Sequence, residues 1–372
     1  MARVLVINAG SSSLKVSVVD PLAADPVGAA TIDWGSDATQ AVDRRASLER
    51  ALTTLPHEVA AAAHRVVHGG NRFRAPTLVD DGVLDELDRL SELAPLHNPV
   101  AVETIRAQRD LRPELPCVAL FDTAFHASLE KEAYIYPLPY AWFSDWGVRR
   151  FGFHGLSVEW SVMRAAELLD VHAGQLSLVV AHLGSGCSVT AVQDGRSVWT
   201  SMGFTPLEGL VMGTRSGSVD PGVLLYAMRQ HGITAIDLER ILDHESGLLG
   251  ISGTTGDVRE LVSAADNGND RARLALEIFE RRAAEEIAAA ATHLERLDAI
   301  VFTGGIGQNA AGLRASICSR LRILGLPRGV SIEGIEEDSV LSGGQGSVAV
   351  LRITAREDIV MARAALALVP SQ

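Results

Sequence analysis

The sequence predicts an α/β chain of two domains, and three observations carry that reading. Strand-like runs such as "VAAAAHRVVHGG" from Val59, "PCVALFDTAFH" from Pro116 and "LDAIVFTGGIGQNA" from Leu297 alternate with alanine-rich stretches of helical periodicity. A length of 372 residues with 47% hydrophobic composition exceeds one typical domain and can fill two cores. The opening stretch "VLVINAGSSSLKVSVVD" (Val4 to Asp20) recurs in shape as "VVAHLGSGCSVTAVQDG" (Val179 to Gly195), each an apolar strand, a Gly and Ser turn, a second strand and an Asp. Aligning Gly10 with Gly184 places the copies 174 residues apart, the spacing expected if each begins one of two similar domains.

The first hairpin carries more turn residues than a hairpin needs, since two such residues suffice to set its backbone. Glycine lets backbone N–H groups converge on one point, serine hydroxyls donate further hydrogen bonds to an anion, and Lys15 adds a point charge. A plain solvated hairpin explains one copy equally well. Two copies and a lysine favour the anion, with the two turns expected to face each other across a cleft. Further along, "RARLALEIFERRAAEEIAAAATHLERL" from Arg271 reads as a long amphipathic helix packed on a sheet.

A formal charge of −13 and a pI near 5.3 argue against a nucleic-acid or anionic-membrane surface, so an anionic substrate must meet a local basic cluster. The three cysteines, Cys117, Cys187 and Cys318, have no metal-like spacing and cannot form a complete disulfide set, which fits a reducing compartment. The polar "NAG" arrives too soon for a signal peptide, and no run of about 18 apolar residues occurs. A cytoplasmic protein with no membrane partner is expected.

Neither a Walker motif nor a strand followed by "GxGxxG" is present, so a different phosphate cradle is required. Four glycine loops qualify: "NAGSSSLK" (Asn8 to Lys15), "HLGSGCS" (His182 to Ser188), "SGTTGDVR" (Ser252 to Arg259) and "FTGGIGQN" (Phe302 to Asn309). The last follows an apolar run and so lies at the carboxyl end of a strand, where open α/β sheets bind ligands; a tight turn is the alternative. "HRVVHGG" holds His64, Arg65 and His68, "GTRSGSVDPG" holds Arg215, and "RRFGFHG" holds Arg149, Arg150 and His154. An arginine fork pairs bidentately with carboxylate or phosphate, and a neighbouring glycine leaves room for approach. Asp122 ends an apolar run, where it either delivers a carboxylate to hold Mg²⁺ or caps a helix. Glu357 opens the terminal helix, where the dipole alone favours an acid. His97, His126, His154 and His182 stand out through glycine, proline or aspartate neighbours, while "HExxH" and "GxSxG" are both absent.

Taken in order, "NAGSSSLK", "HRVVHGG", "PLHNP", "FDTAFH", "RRFGFHG", "HLGSGCS", "SMGFTPLEGLVMGTRSG", "SGLLGISG", "FTGGIGQN" and the acidic start of the last helix resemble the acetate kinase family, within the group of acetate and sugar kinases, heat-shock chaperones and actin. The resemblance spans nearly the whole chain. It implies two ribonuclease-H-like (actin-like ATPase) domains with a cleft between them and a homodimer. The acyl-substrate domain would cover 1–125 and 358–372, and the nucleotide-binding domain 126–357. It also implies reversible transfer from ATP to acetate, giving acetyl phosphate and ADP, with Mg²⁺ or Mn²⁺. Carried over, Asn8 and Glu357 resemble the metal-associated pair, and Ser12 and Lys15 nucleotide-phosphate contacts. Arg65 matches the substrate arginine, Arg215 and His154 the transition-state groups, Asp122 the essential aspartate, and His97 and His182 the supporting histidines. Val67, Leu96, Phe153 and Pro206 match the acyl-methyl pocket. His182, Leu183, Gly184, Ser185 and Gly186, then Asp257, Val258 and Arg259, then Gly304, Gly305, Ile306, Gly307, Gln308 and Asn309 match the nucleotide loops.

The chain departs from the family pattern at Ser185 (usually Asn), Gln308 (usually Glu), Leu156 and Val158 (usually Thr and His), Ser218 (usually Asp) and "AREDI" in place of "TNEE". A propionate or other short-chain acyl kinase, and a donor such as pyrophosphate, are the alternatives. A nucleotide-dependent switch module would have no use for "HRVVHGG" and "GFHG".

Overall fold

The structure, a computed structural model, describes residues 2–10, 13–23, 25–34, 43–94, 97–326, 337–344 and 347–369. The chain forms two compact units, Met1–Ala127 with Arg356–Gln372, and Ser128–Ala355.

The first unit is built on a six-stranded sheet of β1 (Val4–Ala9), β2 (Ser13–Val19), β3 (Gly28–Asp33), β4 (Ala61–Val66), β5 (Thr77–Leu78) and β6 (Cys117–Phe121), in the order β3-β2-β1-β4-β6-β5. The meander β1-β2-β3 is antiparallel, β4 and β6 run parallel to β1, and β5 closes the edge antiparallel to β6. In β2 the burial alternates as its pattern requires, with Leu14, Val16 and Val18 buried and Lys15 exposed. Strand β6 is buried at every position, as befits a parallel strand covered on both faces. One core joins Leu5, Ile7, Leu14 and Val16 to Leu48 of helix Arg44–Thr53; a second gathers Val66, Leu87, Ile105 and Phe121. The terminal helix Glu357–Leu368 returns to this unit and packs on β1 and β4.

The second unit repeats the plan with β7 (Ser177–Leu183), β8 (Cys187–Gln193), β9 (Arg196–Thr200), β10 (Ala299–Thr303), β11 (Ser339–Gly344) and β12 (Ser347–Arg352), ordered β11-β12-β10-β7-β8-β9. Again a meander leads, two strands run parallel to its first member, and an antiparallel strand closes the edge. The helix expected from Arg271 runs Asp270–Ala291 and buries Phe279, Ala283 and Ile287 against β7 and β8. Its Asn269 cap accepts from the Ala272 N–H at 3.0 Å.

The sequence repeat is thus a structural repeat, with one difference. Ala9 pairs with Leu14, whereas the equivalent Leu183 pairs with Cys187, so the second hairpin closes one residue tighter. The closing bonds agree: Gly10 N–H reaches Ser13 O at 2.9 Å, and Gly184 N–H reaches Gly186 O at 3.0 Å. All three cysteines are buried and free, and burial pushes the Cys187 thiol up to about 12. No described helix is long and apolar enough to cross a membrane.

Candidate active site

Parallel strands bring their C-terminal ends to one edge of a sheet, where ligands bind in open α/β folds. In the first unit that edge carries Asn8 on β1, Arg65 on β4 and Asp122 just beyond β6. Arg65 donates from Nε to Asp122 Oδ1 at 2.8 Å, from Nη2 to Oδ2 at 2.5 Å, and from Nη1 to Asn8 Oδ1 at 3.3 Å. Glu357 Oε2 lies 3.9 Å from Nε. The Asp122 side chain is sealed at 1% exposure, against 19% for Arg65 and 18% for Glu357. Burial opposes the charge on Arg65, but the carboxylates of Asp122 and Glu357 outweigh it and hold the guanidinium above its usual range. Burial, with Asp122 adding repulsion and Arg65 attraction, leaves the Glu357 carboxyl raised. Both Asp122 oxygens engage Arg65.

Lys15 is exposed directly across the ladder from Asn8, and Val67 is half-buried just past β4. The turn after Val67 is fixed from several sides. Asn98 accepts from His68 N–H at 3.1 Å and donates to His68 O at 2.9 Å, while Gly69 N–H reaches Thr123 Oγ1 at 3.1 Å. A Cβ on Gly69 would collide with the Phe73 carbonyl. His97 is half-buried ahead of helix Asn98–Leu111, and His126 is buried. Ser12 and Leu96 lie outside the described residues.

In the second unit the tight hairpin and the helix Gly155–Leu169 assemble a histidine pair. His154 takes a left-handed backbone, φ 57°, unusual for a residue with a Cβ, and its ring stacks on His182 at 4.1 Å between centroids. Its Nδ1 meets Ser188 Oγ at 3.0 Å, and His182 Nδ1 meets Ser157 Oγ at 2.8 Å. A Cβ on Gly186 would lie 3.4 Å from His154 Nε2 and 3.6 Å from Arg215 Nη1. An imidazole and a guanidinium therefore border a position without a side chain. Arg215 also donates from Nη1 to Pro206 O at 2.8 Å; burial lowers its pKa, with Asp243 and Cys187 countering. Phe153 is sealed at 1% exposure. Leu156 and Val158, two of the departures, are buried apolar residues, and Ser188 and His182 are among the groups that hold the His154 ring.

A cavity of about 920 Å³ opens beside this cluster, lined by Gly184 and Ser185, by Asp257, Val258 and Arg259, and by Gly305, Ile306 and Asn309. Asp257 caps helix Val258–Asp266, accepting from Arg259 N–H at 2.8 Å, and its side-chain pairing with Arg259 draws its carboxyl down to about 2. Gly304, φ +76°, passes so close to the Leu183 carbonyl that a Cβ would lie 2.7 Å away, while Gly305 faces open space. Gly307 packs near Phe302 and Ala181 backbone, and Asn309 Nδ2 donates to Gly305 O at 3.0 Å. Gln308 turns away from the cavity lining: its Oε1 accepts from Ala355 N–H at 3.3 Å and its carbonyl from Arg352 Nε at 3.0 Å.

Sequence reasoning missed Ser157 and Ser188 as the supports of the histidine pair, and Asn98 and Thr123 as supports of the "HRVVHGG" turn. No group of three or more His, Cys, Asp or Glu able to hold a metal occurs among the described residues.

A sequence profile of the acetokinase family matches residues 29–363. An acetate kinase from a Synechococcus strain is 42% identical over 97% of this chain and 98% of its own length, and a propionate kinase from Escherichia fergusonii is 41% identical over 97% and 95%. The crystal structure of Porphyromonas gingivalis acetate kinase superposes with a TM-score of 0.89 at 31% identity over the whole of both chains. The α/β fold with two actin-like ATPase domains expected from the sequence is the fold of this protein. The chain belongs to the acetokinase family, phosphotransferases whose acceptor is a carboxyl group.

Proposed function

We propose that this protein transfers a phosphoryl group reversibly between ATP and acetate, forming acetyl phosphate and ADP. The observation that carries the site assignment is the convergence of His154 Nε2 and Arg215 Nη1 on Gly186, beside the glycine-lined cavity. A carboxylic acid titrates near pH 4 to 5, roughly as Glu does, so acetate is already ionised at neutral pH and attack needs no general base. The barrier is repulsion between two anions, and fixed positive groups lower it. Arg215 and His154 are assigned to the equatorial oxygens of the transferring group.

Arg65 is assigned to acetate. Asp122 occupies its Nε/Nη2 edge and Asn8 takes one Nη1 proton, leaving two of the five N–H groups, on adjacent terminal nitrogens, without a partner among the described residues. That pair has the spacing of a carboxylate. Asp122, with both oxygens engaged, orients Arg65 rather than moving a proton. Val67, two residues beyond Arg65, is assigned to chain-length selection, and Lys15 to a nucleotide phosphate.

Asn8 and Glu357 supply hard oxygen donors on either side of Arg65, which fits Mg²⁺ or Mn²⁺ with few protein ligands. When bound, the ion would neutralise polyphosphate charge. Homodimerisation has support from helices Pro221–His231 and Ala235–His244, which bury no residue and expose Val223, Tyr226 and Ile236. Three buried free thiols suit the cytoplasm.

The propionate kinase relative, almost as similar as the acetate kinase one, favours a second reading in which propionate is preferred. One methylene gives only about 1–3 kcal/mol of discrimination, so both acids should react. A hydroxamate assay across acetate, propionate and butyrate with ATP and pyrophosphate decides. Acetate with ATP should give the highest kcat/KM; a higher value for propionate, or for pyrophosphate as donor, contradicts the assignment.

A further inference from the structure

Three side chains of the second unit, none of them placed in the site above, meet around the segment that leads to Pro206. Arg150 donates from Nη1 to the carbonyls of Thr200, Ser201 and Met202 at 3.1, 2.9 and 3.1 Å, and from Nη2 to Glu208 Oε1 at 2.6 Å. The other Glu208 oxygen accepts from the Tyr136 hydroxyl, and that hydroxyl accepts from Phe204 N–H at 2.9 Å. Gly203 lies at the centre. Its carbonyl accepts from Phe151 and Gly152 N–H at 3.0 and 3.4 Å, and a Cβ there would collide with both Glu208 and Tyr136.

The network joins two arms of the site. Residues 150–154 end at His154, and residues 200–208 carry Pro206, whose carbonyl accepts from Arg215 Nη1 at 2.8 Å. A carbonyl orients a guanidinium only as well as its own backbone is fixed, and here a charged pair and a phenol fix it. We propose that Tyr136, Glu208 and Arg150 are positioning residues that set the Pro206 carbonyl and through it the Arg215 guanidinium. The inference rests on the assignment of Arg215 to the transferring phosphoryl group. None of the three lines the 920 Å³ cavity, so nucleotide affinity should be insensitive to them.

The test is a double-mutant cycle read by acyl-hydroxamate formation, with thermal melts as a folding control. Tyr136→Phe should lower kcat about tenfold and Glu208→Gln further, toward about 10²-fold, with KM for ATP within about twofold of wild type. In an Arg215→Ala background, Tyr136→Phe should change kcat by less than about twofold, because the group it positions is gone. An equal loss in both backgrounds, or wild-type kcat in both single variants, overturns the inference while leaving the functional reading intact. A wild-type protein that forms no acyl phosphate overturns both.

Discussion

Compared strand by strand, the two sheets share one order and differ in what they set at the ends of their parallel strands. The first places polar and charged side chains there: the Asn8 amide, Arg65 and Asp122, with Glu357 from the terminal helix. At the corresponding end of β10 the second places Gly304 and Gly305, and its first strand carries His182 where the first unit has Asn8. The difference follows from the ligands proposed. A small carboxylate must be gripped by a fork held in one orientation, whereas a polyphosphate is best met by backbone and by space left free of side chains. The same scaffold serves both because strand ends, and not the core, carry the chemistry.

The comparison can be broken most severely in the first unit. Asp122→Asn should lower kcat/KM for acetate by about 10³-fold, since it removes the charge that fixes Arg65 in a nearly sealed setting, and steady-state kinetics reads this directly. A neutral residue at 122 with near-normal acetate kinetics would falsify the clamp.

Acid should also find the first unit. His64 on β4 is buried, its Nε2 has no partner among the described residues, and burial, offset in part by the neighbouring Gln108 side chain, lowers its pKa to about 4. The unfolded chain protonates this histidine near 6.5 and the folded one only near 4, so the unfolded state binds more protons between those values. Stability is therefore intact above about pH 6.5 and falls by roughly 3 kcal/mol as pH drops toward 4. Denaturant titrations across that window should show the loss for wild type and a reduced slope for His64→Gln.

Arg215→Ala sharpens the second unit's role: kcat should fall by about 10²-fold with the acetate KM little changed. Raised KM at normal kcat would instead make Arg215 a ground-state contact. Smaller still is Gly304→Ala, where a left-handed backbone and the Leu183 carbonyl both resist a side chain. A melting-point decrease equivalent to about 1–3 kcal/mol is expected. Least of all should come from Gln308→Glu, which keeps an acceptor for Ala355 N–H and lies outside the cavity lining; the KM for ATP should stay within about twofold.

The sequence was legible wherever a feature is local or repeated. The two hairpins, the strand before "GGIG" and the helix from Arg271 all follow from period and turn chemistry. The one-residue difference between the hairpins was not, because strand pairing within a turn depends on backbone geometry that similar residues do not reveal. Ser188 on His154 and Glu208 on Arg150 bridge separations of 34 and 58 residues, and no local pattern announces such contacts. Gln308 illustrates the opposite case: a conspicuous substitution in a glycine loop turns out to bind backbone away from the cavity lining.

The division of labour between the two sheets is tested most directly on Arg65→Ala, by measuring its acetate KM alongside its ATP affinity by calorimetry. The acetate KM should rise by at least about tenfold while ATP binding stays within about twofold of wild type. Weakened ATP binding with an unchanged acetate KM would contradict the account.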